Sequence, residues 1–236
     1  MSSERLYFRQ LLSGRDYAAG DPIATQMRNF AYLIGDRQTG DCVLIDPAYA
    51  AADLVDIAAA DDMRVSGVLA THHHPDHVGG SMLGFTLGGV RELLEHTSVP
   101  VHVNRHELDW VAQVTGIAPS ELTGHEHGDK VSVGAIDIEL LHTPGHTPGS
   151  QCFLVDNRLV AGDTLFVDGC GRTDFPGGDS DEMFRSLRYL AGLDGNPVVY
   201  PGHWYSQEPS APLSTIRENN YVMRPQTLEQ WQMLML

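Results

Sequence analysis

The most informative chemical feature of the sequence is a cluster of histidines and aspartate at residues 71–77, which read THHHPDH. His72 and His74 are two positions apart, so in an extended loop their imidazoles face the same side. Two imidazoles on one side form a chelating pair for a borderline metal ion such as zinc. Asp76 and His77 follow immediately and can reach a second position beside the first. The segment therefore predicts a metal site.

Three later turns each supply one more residue of a metal-binding type. They are the turns TPGH, AGDT and YPGH, which carry His146, Asp163 and His203. Each of the four segments follows a short apolar run, namely VSGVLA, IDIELL, RLVA and NPVVY. Ligands of α/β sheets gather where the carboxyl ends of the strands emerge. The four junctions are therefore expected to meet at one site.

The candidate ligands divide into two sets that share one carboxylate. The first set is His72, His74, His146 and Asp163. The second set is Asp76, His77, His203 and again Asp163, whose two oxygens can bridge. Two metals about 3.5–4 Å apart can share a hydroxide, and a zinc-bound water ionises near about pH 7. The pattern therefore favours hydrolysis without a serine or cysteine nucleophile, and Asp76 is also a candidate proton acceptor.

The remaining sequence predicts a layered α/β protein. Residues 30–35 and 42–46 flank a polar turn, which predicts a β-hairpin, and later strands alternate with helices. The predicted helices cover residues 53–63, 88–96, 105–114, 180–191 (with Ser180 as the cap) and a tail from Thr227. The predicted strands cover residues 65–70, 99–103, 136–141, 151–155, 158–161 and 196–200. Residues 118–130 are predicted to be a loop. Such an order indicates mixed sheets covered by helices.

Composition limits the partners of the chain. Its 15 basic and 31 acidic side chains give a net charge of −16, which argues against nucleic acid or an anionic membrane as a partner. No apolar run approaches the roughly 20 residues of a membrane helix, and the first ten residues show no apolar signal region. The three cysteines are far apart and odd in number, which is typical of a reducing cytoplasm. Monomer and dimer both stay open.

The motifs THHHPDH, TPGHTPGS, AGDTLF and YPGH, in this order, resemble the metallo-β-lactamase superfamily. The resemblance extends from Phe30 to His203. It implies an αββα four-layer sandwich with the metal site at the strand ends. On this view residues 1–206 form the metallo-β-lactamase-like domain, and residues 207–236 form a short C-terminal extension packed on it.

Within that superfamily, the segment LFVDGCGRTDF at residues 165–175 resembles the glyoxalase II and persulfide dioxygenase branch. The resemblance implies that the Gly171 backbone and the Arg172 guanidinium contact a thiol substrate, and that Tyr205 lies near the substrate thiol. An arginine can hold a carboxylate through two parallel hydrogen bonds. The alternative for Arg172 is an ion pair with Asp174, and the alternative for Tyr205 is simple packing.

The resemblance implies a metal-dependent hydrolase of a thioester such as a hydroxyacylglutathione. It would use two divalent metal ions, with zinc ahead of iron or manganese, and a small glutathione-like substrate. An iron-dependent glutathione persulfide dioxygenase with a single iron is the first alternative. A lactone hydrolase and a purely structural metal site are the others. Glyoxalase II enzymes usually carry a helical C-terminal domain, and the short tail after His203 leaves the identity of the thiol open.

The other histidines are predicted to have structural roles. His73 is expected to pack or hydrogen-bond beneath the ligand loop, and His142 to support the site or the core. His125 and His127 form a second HxH pair in GHEHGD. No predicted strand leads into that pair, so it is predicted to be a solvated loop.

Overall fold

The computed structural model describes residues 5–82 and 84–235. The strands are β1 (Leu6–Leu12), β2 (Phe30–Asp36), β3 (Asp41–Ile45), β4 (Arg64–Leu69), β5 (Gly80–Met82), β6 (Phe85–Leu87), β7 (Val101–Asn104), β8 (Leu122–His125), β9 (Lys130–Val133), β10 (Ile136–His142), β11 (Gln151–Val155), β12 (Arg158–Gly162), β13 (Val198–Pro201) and β14 (Ala211–Pro212). The helices are α1 (Pro22–Met27), α2 (Ala51–Ala60), α3 (Pro75–Val78), α4 (Val90–His96), α5 (Leu108–Thr115), α6 (Ser180–Ala191), α7 (Leu213–Asn219) and α8 (Leu228–Leu234).

The strands form two six-stranded sheets and a separate hairpin of β5 and β6. The first sheet has the order β1-β2-β3-β4-β7-β8, and the second has the order β14-β13-β12-β11-β10-β9. In the first sheet β1, β2 and β3 are antiparallel, as the predicted hairpin requires, while β3, β4, β7 and β8 run parallel. In the second sheet β12 and β13 are the parallel pair.

Three layers of buried side chains hold the sheets and helices together. The layer between the sheets includes Ile34, Ile45 and Leu69 from the first sheet and Ile138, Phe153 and Val160 from the second. Outside the first sheet lie Leu54, Leu93 and Val111 of α2, α4 and α5, and outside the second lie Leu187, Ile216 and Trp231 of α6, α7 and α8. Strands covered on both faces bury successive residues instead of alternate ones, as β2 does throughout its length. The αββα four-layer sandwich is confirmed.

The residues after 206 pack against the second sheet and its helices. Strand β14 pairs with β13, and the fully buried Trp231 of α8 donates from Nε1 to the Ser180 carbonyl at 2.8 Å. The predicted cap of α6 is wrong by one residue, because the Asp179 carboxylate accepts from the N–H groups of Asp181 and Glu182. The division of domains at residue 206 stays a prediction.

The predicted loop at residues 118–130 contains a strand, which is a correction. Strand β8 (Leu122–His125) pairs in parallel with β7 at the edge of the first sheet. Its sequence LTGH has only one buried residue, Leu122, so it lacks the apolar run by which a strand is recognised. None of the helices in the described ranges, 5–82 and 84–235, has both the length and the apolar character needed to cross a membrane.

Candidate metal centre

The ends of four strands from both sheets bring the predicted ligands together. The loop after β4 carries the THHHPDH segment, and the turns after β10, β12 and β13 carry His146, Asp163 and His203. Six of the seven predicted ligands are buried, and His74 is half-buried. The repeated strand–turn pattern predicts that these residues meet, and in the structure they lie together.

In the first set the donor atoms lie close enough to share one ion. His74 Nδ1 is 3.1 Å from His72 Nε2 and 2.9 Å from His146 Nε2. His146 Nε2 in turn is 3.6 Å from Asp163 Oδ2. Zinc bonds of about 2.0–2.2 Å to nitrogen and oxygen place neighbouring ligand atoms at separations of this kind. The residues present therefore suit a divalent metal ion.

The second set has the same spacing. His77 Nε2 lies 3.2 Å from His203 Nε2 and 3.6 Å from Asp76 Oδ2. Asp163 Oδ2 is 3.3 Å from His203 Nε2, while its Oδ1 is 3.5 Å from His77 Nε2. The Asp163 carboxylate thus lies between the two sets, at the position of a bridging ligand.

A buried acceptor without a partner supports a cation at this place. Asp163 Oδ1 is buried and accepts no hydrogen bond from the described residues. A buried carboxylate oxygen without a donor is costly unless a positive charge compensates it. The orphaned oxygen and the set of nitrogen and oxygen donors together fit a divalent metal ion.

Backbone and carboxylate acceptors fix the orientation of the imidazoles. His146 Nδ1 donates to the Arg172 carbonyl at 2.6 Å, and His203 Nδ1 donates to the Met27 carbonyl at 2.9 Å. His77 Nδ1 donates to Asp46 Oδ2 at 2.9 Å. Because each Nδ1 donates to a fixed acceptor, each Nε2 faces the centre of the site.

The two sets differ in their protonation. Burial, and then the neighbouring His146, lower the pKa of His74 to about 3, so that ring is neutral. Burial alone would lower the pKa of His77, but Asp76 and Asp163 outweigh it and raise that pKa to about 10. Burial would raise the pKa of Asp163, yet the imidazoles of His203 and His77 hold it far below its usual range. His77 must therefore lose a proton before its Nε2 can bind a metal.

Asp46 and Glu107 support the ligand loops and are not among the predicted residues. Asp46 follows β3 directly and accepts from the N–H and hydroxyl of Thr71 at 2.8 and 2.6 Å. Glu107 accepts from the Thr147 hydroxyl at 2.7 Å and the Gly149 N–H at 2.8 Å, and it pairs with His73 Nδ1 at 2.6 Å. Glu107 therefore ties the loop of His72 and His74 to the loop of His146.

The sequence indicates a role for Asp46 but not for Glu107. Asp46 ends an apolar strand, the same signal that led to His146, Asp163 and His203. Glu107 lies in a short 3-10 turn at Arg105–Glu107, where its sequence neighbours give no indication of a role. The expectation for His73 is met, because its ring packs on Trp110 and bonds Glu107 beneath the loop.

The predicted substrate contacts surround the mouth of the site. The Gly171 N–H donates to the Asp163 carbonyl at 2.8 Å, so a substrate bond from that N–H would require breaking this one. The exposed Arg172 forms an ion pair with Asp174 at 2.6 Å and lies over the ring of Phe175. The half-exposed Tyr205 stacks on His203, with ring centroids 4.6 Å apart. Their roles toward a substrate stay predictions.

The remaining histidines lie apart from the two sets. His125 Nε2 is 2.9 Å from His102 Nδ1, and strand β8 leads directly into this position. The prediction of a solvated loop is therefore wrong for His125, which ends β8 and is half-buried beside His102 of β7, while His127 is exposed. His142 Nε2 donates to the Pro148 carbonyl within the turn that carries His146.

Comparison with known proteins agrees with the motifs and the fold. Residues 24–203 match the Metallo-beta-lactamase superfamily. A hydroxyacylglutathione hydrolase of Rhodospirillum rubrum is 33% identical over 211 residues, covering 88% of this chain and 74% of that protein. The mitochondrial persulfide dioxygenase ETHE1 of Bos taurus is 32% identical over 194 residues, covering 80% of this chain and 68% of that protein.

A solved structure shows the same fold over nearly the whole chain. ETHE1 from Myxococcus xanthus superposes with a TM-score of 0.76 at 30% identity, covering 97% of this chain and 89% of that chain. The αββα layers, the ligand residues at the strand ends and these matches lead to the same assignment. This chain belongs to the metallo-beta-lactamase superfamily.

Proposed function

We propose that this protein is a metal-dependent hydrolase of thioesters of the hydroxyacylglutathione type. The observation that carries the proposal is the position of Asp163 between two sets of imidazole and carboxylate groups, with one buried oxygen that accepts no hydrogen bond from the described residues. The hydroxyacylglutathione hydrolase among the relatives, 33% identical, supports the same reaction.

The proposed metal ligands are the seven residues of the two sets. Zinc is the proposed ion, since its preference for imidazole and carboxylate ligands matches the donors present; iron and manganese are alternatives. Divalent ions there would supply a water of lowered pKa and a Lewis acid for the substrate carbonyl. A thiolate is a good leaving group, so the reaction needs no strong general acid.

The chain's own residues then position the substrate and move the proton. Asp76 is also the proposed proton acceptor, because it is a carboxylate of the second set, with Oδ2 3.4 Å from His203 Nε2. Burial raises the pKa of Asp76, but His77 and His203 outweigh it and lower that pKa, so the carboxylate is ionised and able to accept. The ring of Phe175 lies 5.6 Å edge-on from that of His74, beside the first set.

The substrate is proposed to be a small molecule derived from a thiol such as glutathione, and the protein is proposed to work in the cytoplasm. All three cysteines are free, and two of them, Cys42 and Cys152, are buried. Neither nucleic acid nor a membrane is a proposed partner, since the net charge of −16 repels both. Monomer and dimer both remain open.

Metal analysis combined with two activity assays tests the proposal. Protein purified without added metal is expected to contain zinc and to bind at most two zinc ions per chain at saturation. It is expected to release thiol from a hydroxyacyl thioester without consuming oxygen. Iron at one ion per chain, with oxygen uptake on a glutathione persulfide, would contradict the hydrolase assignment.

That contradicting result would instead identify a persulfide dioxygenase. The 32% identity to the Bos taurus enzyme and the TM-score of 0.76 to the Myxococcus xanthus ETHE1 favour this second candidate. A lactone hydrolase is the third candidate. Hydrolysis of a lactone with no thioester cleavage would identify it.

Replacement of Arg172 by alanine tests whether the substrate is anionic. We expect KM for a glutathione thioester to rise about tenfold, because a charged hydrogen bond to the substrate carboxylate is lost. The kcat should stay within about twofold, since Arg172 holds the substrate equally in the ground and transition states. Steady-state kinetics with the glutathione thioester and an uncharged thioester measure the difference.

The matched control is Arg64→Ala. Arg64 forms a similar exposed pair with Asp41 at 2.7 Å, but it begins β4 at the end opposite the ligand loop. Exposed pairs of this kind contribute little to folding, so neither variant should unfold. An unchanged KM in Arg172→Ala would show that Arg172 pairs with Asp174 and does not bind the substrate.

A further inference from the structure

A buried asparagine lies against the second set and is not accounted for by the proposed reaction. Asn29 immediately precedes β2 and is 2% exposed. Its Nδ2 is 3.1 Å from Asp76 Oδ2, 3.4 Å from His77 Nε2 and 3.5 Å from His203 Nε2. Those three ligand atoms are 3.2 to 3.6 Å from one another. The amide nitrogen therefore caps the triangle that they form.

A carboxylate and a tyrosine bond the two ends of the amide. Asp76 Oδ2 only accepts hydrogen bonds, so it holds the NH₂ group toward the ligand triangle, and the Tyr49 hydroxyl donates to Asn29 Oδ1 at 2.8 Å on the other side. Tyr49 is itself buried and lies in the loop between β3 and α2. Because a phenol can donate or accept, it is the Asp76 carboxylate that fixes which end of the amide faces the second set.

An amide NH₂ group is unfavourable at the centre of a cation site. It has two N–H donors and no lone pair for coordination, and its hydrogens carry partial positive charge. It also donates to Asp76 Oδ2, the oxygen that a metal ion in the second set would need. Among the described residues, the hydrogen-bond partners of His72, His74 and His146 include no side-chain amide.

We infer that Asn29, whose amide is oriented by Asp76, makes the second metal position the weaker of the two and so sets whether the protein carries one ion or two. For a second ion to bind tightly, the amide must turn and present Oδ1. The Tyr49 hydroxyl can then accept from Nδ2, since a phenol is both donor and acceptor. This inference rests on the proposed metal centre but concerns its occupancy and not its reaction.

The test is a zinc titration against a chromophoric chelator, which measures the two dissociation constants separately. Asn29→Asp replaces the NH₂ group by an anionic oxygen. We expect the second dissociation constant to fall by about tenfold or more, the size of effect typical of groups that contact metal ligands. The first constant should stay within about twofold. A second constant that is unchanged or raised in Asn29→Asp overturns the inference.

A second variant keeps the inference testable should Asn29→Asp fail to fold. Asn29→Ala removes the competing donor, so it is expected to tighten the second position by a smaller factor. If it does not, the inference is wrong. Tyr17→Phe is the control, because Tyr17 is also buried but its hydroxyl has no hydrogen-bond partner within residues 5–82 and 84–235; both zinc constants should stay as in the unsubstituted protein.

The outcome is separable from that of the proposed function. Two equally tight zinc ions that Asn29→Asp does not affect, together with thioester hydrolysis, would overturn the role of Asn29 alone. If Asn29→Asp tightens the second zinc position as expected but no thioester is hydrolysed, the proposed reaction is wrong and the inferred role of Asn29 is supported.

Discussion

Replacement of Asp163 by alanine is expected to remove bound metal and thioester hydrolysis together. Asp163 is the only one of the seven proposed ligands that belongs to both sets, with Oδ2 near His146 and His203 and Oδ1 near His77. Its loss takes one ligand from each ion and the negative charge that lies between them. The expected fall in kcat/KM is about 10⁴-fold or more, since nucleophile formation and carbonyl polarisation both depend on the ions.

Metal content by elemental analysis and kcat/KM for a thioester are measured on the same sample. His72→Ala and His146→Ala are expected to behave alike for the first set, and a chelator should abolish the activity of the unsubstituted protein. His96→Ala is the matched control, because His96 is an exposed histidine at the end of α4. Full activity of Asp163→Ala, or of a metal-free sample, would contradict the mechanism.

The apparent stability of the unsubstituted protein should also depend on the metal. With no ion, the second set keeps a protonated His77 beside the carboxylates of Asp76 and Asp163, and Asp163 Oδ1 accepts no hydrogen bond from the described residues. A ligand that binds only the folded state stabilises it in proportion to the logarithm of its concentration over its dissociation constant. The Asp163 variant should therefore lose the shift in Tm that zinc produces.

The positions of the proposed ligands were predictable because each lies in a segment that follows an apolar strand. His146, Asp163 and His203 come from three separate turns, and a common sheet edge is enough to bring them together. The position of Asp163 between the two sets was likewise predictable from the number of candidate ligands and the two oxygens of a carboxylate. For these residues, the order of the strands and the residue type that follows each strand are enough to predict the site.

Other residues of the site depend on contacts that no local pattern reveals. The contact of Asn29 with Asp76 arises from the path of the chain after α1, a helix that was not predicted. Strand β8 and the pair of His102 and His125 escaped prediction for a related reason, because an edge strand need not have an apolar face. Residues that support a site through long-range hydrogen bonds look like ordinary polar positions in sequence.

Among the residues that support the site through long-range hydrogen bonds, Glu107 is the one whose replacement is expected to have the largest structural effect. The first set draws His72 and His74 from the first sheet and His146 from the second, so its geometry depends on how the two loops are held together. The Glu107 carboxylate makes that connection, with one oxygen on His73 and the other on Thr147 and Gly149. It is 1% exposed, so water does not replace a lost bond.

Glu107→Ala is therefore expected to lower both the free energy of unfolding and the affinity for the first zinc ion. It leaves a buried imidazole, a hydroxyl and an N–H without their acceptor, at a cost of about 3 kcal/mol. The freed loops should weaken the first zinc position by about 10-fold to 100-fold. Urea unfolding of the metal-free protein and a chelator titration measure the two effects.

Two variants separate a positioning role from a general loss of stability. Glu107→Gln keeps an oxygen for Thr147 and Gly149 and should recover part of the zinc affinity, whereas Glu95→Ala removes an exposed carboxylate of α4 and should change neither quantity. If Glu107→Ala loses stability yet binds zinc as tightly as the unsubstituted protein, Glu107 holds the loops without shaping the site. Weaker zinc binding that returns in Glu107→Gln would instead show that the ligands reach their places only when one buried carboxylate joins the two sheets.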